Sequence, residues 1–91
     1  MAGNKWTLLS NHGHVLVALS KDPTLRIRDL VELVGITERS VRGIVADLKE
    51  GGYISITKNG RRNEYRVNEQ MKFRHPAEDA YQVNELLNIF K

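Results

Sequence analysis

Apolar positions along the chain follow two periods, one of about 3.6 residues up to position 50 and one of 2 from position 53 to 67. Val15, Leu16 and Leu19 recur at helical spacing behind Ser10 and Asn11, whose side-chain oxygens suit a helix N-cap, and Pro23 enforces a stop. A first helix is expected from about Asn11 to Ser20. Ile27, Leu30, Val31 and Val34 form the i, i+3, i+4, i+7 stripe of one buried face, closed by Gly35, which tolerates a left-handed helix terminus. After Ile36, Thr37 can cap a third helix with the stripe Val41, Ile44, Val45 and Leu48, ended by Gly51-Gly52. Two short helices joined by a tight Gly-containing turn predict a helix-turn-helix arrangement.

From Tyr53 the alternation of Ile54 and Ile56, the turn signal Asn59-Gly60 and the alternation of Tyr65 and Val67 predict a β-hairpin. Placing Ile54, Ile56, Tyr65 and Val67 on one face requires facing positions whose numbers add to 119 or 121. The first choice makes Asn59-Gly60 a two-residue turn and the second a loop from Asn59 to Arg62. Both leave Arg61 and Arg62 at the tip. Asn68 to His75 reads as a connector, and Pro76, with Glu78 and Asp79 in the first turn, predicts a last helix through residue 91. Its stripe of Ala80, Val83, Leu87 and Phe90 has coiled-coil-like spacing and needs burial, either back onto this chain's own core as a fourth layer or, as favoured, against its twin across a two-fold axis, with Trp6 of the N-terminal arm joining that dimer interface. The divisions are an arm (1–9), a unit of three helices and a hairpin (10–67), a connector (68–75) and a C-terminal helix (76–91).

Ninety-one residues make one small domain, and 41% apolar with 27% charged residues is the make-up of a chain that folds. The absence of cysteine excludes disulfides, thiolate catalysis and Cys-ligated zinc. No apolar run reaches the roughly 18–20 residues of a membrane span and no signal peptide is evident, so a cytoplasmic protein is expected. His12 and His14 point about 200° apart on a helix and cannot chelate one ion. No Ser/His/Asp order, HExxH or phosphate-cradling loop is present, so neither an enzyme, a metal site nor a cofactor is expected.

What remains is charge and its placement. The chain carries +3. Residues 52–67 alone hold Lys58, Arg61, Arg62 and Arg66 against Glu64, a net +3 that equals the excess of the whole chain. Such a cluster at a turn is self-repelling unless a polyanion lies nearby. Opposite the apolar stripe, the third helix carries Arg39, Gly43 and Ala46, flanked by Ser40 and Arg42. Small residues between basic and hydroxyl ones let a bulky partner approach the backbone, as the DNA major groove requires. On a merely solvated face, the two arginines would instead pair with Glu38 and Asp47.

In the order of its elements, the chain from about Ser10 to Val67 resembles the winged helix-turn-helix transcriptional regulators of the MarR-like and ArsR-like group. LVELVGITERSVRGIVADLKEGGYISI is similar to their positioning helix, turn, recognition helix and lead into the wing, and KNGRRNEYRV to the wing itself. RHPAED resembles the connector of short stand-alone members. The resemblance implies an α+β, mainly α fold: a three-helix core, a hairpin wing and an extra C-terminal helix. With the apolar stripe of the last helix, it leads to the expectation of a homodimeric transcriptional regulator that binds double-stranded DNA sequence-specifically. By the resemblance, Thr37, Arg39, Ser40 and Arg42 would meet the major groove and Arg61 and Arg62 the adjacent backbone or minor groove; the helix face adds Gly43 and the hairpin charge adds Lys58 to the expected DNA-binding residues. The full-size MarR-like pattern has an Asp shortly before the wing arginine and long terminal helices around a ligand pocket. Here Gly60 precedes Arg61 and the terminal segments are short, which argues against a small-molecule effector. The competing reading is a winged helix that binds protein or RNA, because one scaffold serves several functions. A protein-binding version would carry apolar or aromatic anchors on the third helix, which this sequence lacks there.

Overall fold

The computed structural model describes residues 6–91, so the first five positions of the expected arm lie outside the described residues. α1 spans Asn11–Lys21, and Ser10 Oγ caps it by accepting from Gly13 N at 3.3 Å. α2 spans Ile27–Val34 and ends where Gly35 adopts φ +80, a left-handed terminus that an L side chain disfavours. α3, Glu38–Glu50, is capped by Thr37 and buries Val41, Ile44, Val45 and Leu48, the whole expected stripe. These three helices pack on one another around Val15, Leu19 and Leu30.

β1 (Ile54–Asn59) and β2 (Arg62–Val67) form an antiparallel hairpin with Ile54 opposite Val67 and Ile56 opposite Tyr65, the register that adds to 121. Pairing continues one step further than that register's four-residue loop, to Asn59 opposite Arg62, which leaves Gly60 and Arg61 as the turn. Gly60 has φ +67 and, among the described residues, no non-glycine residue has positive φ, the sign pattern of a type II′ turn. Arg61 is therefore at the tip, whereas Arg62 lies within the ladder. Ile54 and Tyr65 face the helices and are buried.

The C-terminal region departs from expectation. Residues 76–82 are not helical, and α4 is only Val83–Ile89. Glu78 N donates to His75 O and Tyr81 N to Glu78 O, a succession of turns, and Phe73 N then donates to Tyr81 O. Val83 N donates to Met71 O and Asn84 N to Glu69 O, so the segment returns along residues 69–73 before α4 begins. These tertiary bonds outweigh the local signal of Pro76. The operative start is the Gln82 amide donating to Glu85 Oε2 at 3.0 Å. Val83 and Leu87, expected to face a partner, are each only 1% exposed and complete this chain's own core, while Ala80 precedes the helix. The connector is likewise folded onto the domain, with Tyr53 Oη donating to Lys72 O at 2.6 Å. Among the described residues no helix is long and apolar enough to cross a membrane.

Candidate nucleic-acid interface

Four buried side chains fix the rotation of α3, and that fixes what its opposite side presents: Arg39, Ser40, Arg42, Gly43 and Ala46 are all exposed. Thr37 sets the N-terminus, its Oγ1 accepting from Ser40 N at 3.1 Å and donating to Ser40 Oγ at 3.0 Å. A Cβ built on Gly43 meets no atom within 4 Å, so the middle of the face is open down to the backbone. Arg42 lies along the helix, with Nη2 at 2.8 Å from Glu38 Oε2. An exposed i,i+4 pair of this kind contributes about 0.3–0.5 kcal/mol and yields readily to a phosphate or base edge. Asp47 is turned away toward α1, its Oδ2 lying 2.8 Å from His12 Nε2. Arg39 has no ion-pair partner among the described residues. Of the two acid pairings a merely solvated face would use, one forms.

In the hairpin, Lys58 and Arg61 are exposed near and at the tip. Arg62 is different, because its Nη2 donates to Thr24 O at 2.7 Å in the loop between α1 and α2. That loop is held by Asp22, whose Oδ1 accepts from Thr24 Oγ1 at 2.7 Å and from Thr24 N at 3.0 Å. These two bonds, with a smaller contribution from the Arg62 charge, hold the Asp22 carboxyl below its ordinary range. Sequence reasoning missed the loop's role. The available signal was Asp22-Pro23-Thr24, a turn-forming triplet in which an Asp side chain reaches the backbone two residues on.

Residues 8–55, about half of the chain, match the winged helix-turn-helix DNA-binding family. The chain belongs to that family. The match takes in α1, α2 and all of α3 and stops as β1 begins, so the second strand of this winged helix-turn-helix is known from the structure alone. No curated protein matches the chain. Of the residues singled out in this winged helix-turn-helix protein, Thr37, Arg39, Ser40, Arg42 and Gly43 gather at the N-terminal half of α3, and Lys58 and Arg61 at the wing tip. Arg62 is partly engaged within the chain, and of the five residues expected at a dimer interface only Trp6, Ala80 and Phe90 remain exposed.

Proposed function

We propose that this winged helix-turn-helix protein is a homodimeric regulator of transcription that recognises a specific sequence in duplex DNA. α3 enters the major groove, where Arg39 and Arg42 read base edges and Thr37 and Ser40 bind phosphate or base edges around Gly43. The wing brings Lys58 and Arg61 to the adjacent backbone or minor groove. The observation that carries this reading is the open floor at Gly43, where nothing lies within 4 Å of an added Cβ, between two exposed arginines. The MarR-like and ArsR-like resemblance of the same stretch supports a regulatory role. A dimer is supported by the apolar surface left uncovered: Trp6, Leu8, Tyr81, Ile89 and Phe90 are exposed, alongside Ala80. A two-fold pair would offer two recognition helices to half-sites about one DNA turn apart. Selection of bound fragments from random duplex DNA, followed by titration of the winning site against salt, tests the proposal. A defined motif and affinity that falls steeply with salt are expected, since Arg39, Arg42, Lys58 and Arg61 displace condensed counterions. No enriched motif together with a flat salt response contradicts it.

A further inference from the structure

We propose that Arg62 is a positioning residue that braces the wing against the α1–α2 loop, so fixing where Arg61 and Lys58 are presented, and is not itself a phosphate ligand. The inference rests on the reading of the wing as a DNA contact. Its geometry does not.

Two bonds run from β2 to consecutive residues of that loop: Arg62 Nη2 donates to Thr24 O at 2.7 Å and Tyr65 N to Pro23 O at 2.9 Å. The Tyr65 amide thus points away from β1, as the alternation of an antiparallel ladder demands. The receiving carbonyls are held in place because Thr24 bonds twice to Asp22 Oδ1, the group toward which the Arg62 charge is also directed. An isolated two-stranded hairpin is marginally stable, and the loop gives this one a third rail beside β2. Tyr65 anchors the base of the strand in the core at 4% exposure, so the bond from Arg62 secures the distal end that the core does not reach. Arg61, at the second position of the turn, makes no such contact among the described residues.

The brace is read in the free protein and the DNA contact in the complex, so the two can fail separately. Arg62→Ala should accelerate hydrogen exchange of the Tyr65 amide on the order of 3–10-fold, the loss of about one hydrogen bond's net stabilisation. The Thr57 and Glu64 amides, each donating to the other residue's carbonyl across the ladder, should keep their protection. On the selected DNA site, Arg62→Ala should lose affinity without changing the log–log salt slope. Arg61→Ala should leave the Tyr65 amide alone and flatten the slope by about 0.9, one phosphate contact. Asp22→Ala provides a check of opposite sign. It removes a negative charge, so charge alone predicts tighter binding to a polyanion, whereas loss of the brace predicts weaker binding and a faster Tyr65 amide. The proposal is overturned if Arg62→Ala leaves Tyr65 protection unchanged and flattens the slope as Arg61→Ala does, or if Asp22→Ala binds more tightly. A faster Tyr65 amide in Arg62→Ala, with slopes unmoved by Arg61→Ala and Lys58→Ala, sustains the brace and removes the wing from the DNA interface.

Discussion

Arg39 and Arg42 sit three residues apart on α3 but start from different states. Arg42 must leave Glu38 to reach DNA, and Arg39 has no ion-pair partner to leave among the described residues. Replacing either by Ala, where it contacts a base, should cost roughly 1–3 kcal/mol of binding and relax preference at one base pair. Selection repeated with each variant checks this, and a uniform loss across all sequences would assign that arginine to phosphate instead. Asp22 makes a residue-level prediction about pH. Its bonds from Thr24 are made to the ionised carboxylate, and its folded pKa lies below the ordinary 3.8. What those bonds contribute is therefore fully present above that value and lost as the pH falls through the lower folded pKa. An NMR titration of the Asp22 carboxyl should give a midpoint below 3.8, and a midpoint at or above it would show that the Thr24 bonds do not form in solution.

At the scale of elements, the three helices were legible in the sequence because period, caps and stops agreed: Thr37 caps α3 and Gly35 ends α2 where the pattern requires. The hairpin was legible except at its end, where alternation allowed two registers and only the paired backbone selects between them. α4 was misplaced because Pro76, Glu78 and Asp79 are a local start signal, while the bonds from Phe73 to Tyr81 and from Val83 to Met71 are non-local. The outward face of α3 follows from its apolar stripe, so its residues could be named in advance. The engagement of Arg62 with Thr24 O could not, since the partners lie 38 positions apart in the chain. The turn carries its own prediction. Gly60 has φ +67 with open space around it, so Gly60→Ala meets backbone strain and nothing else. It should destabilise the wing by about 1–3 kcal/mol, seen as faster exchange of the Thr57 and Glu64 amides with the helix amides unaffected. Unchanged exchange there would mean the turn re-forms with another geometry.

For the whole molecule, the C-terminal segment is part of the folded unit: Val83 and Leu87 are buried to the same degree as Leu19 of the three-helix core. Leu87→Ala should accordingly cost about 2–5 kcal/mol of folding stability by denaturant titration, and a loss of dimer without loss of stability would return Leu87 to the interface. Phe90 is 38% exposed and removable, so Phe90→Glu should keep the fold and shift sedimentation from dimer to monomer, with weaker binding to a palindromic site. Wild-type protein that sediments as a monomer at every concentration would refute the dimer while leaving DNA binding by each domain intact. The central claim is that the open face of α3 is the surface that meets DNA, and Gly43→Glu tests it most directly. The substitution has room, replaces a residue unfavourable in a helix and leaves the buried stripe untouched, while adding bulk and negative charge where a groove would have to close. Measured on the selected duplex, Gly43→Glu should match wild type in thermal stability or exceed it and lose nearly all DNA binding. A folded Gly43→Glu protein with wild-type affinity would show that DNA is met elsewhere.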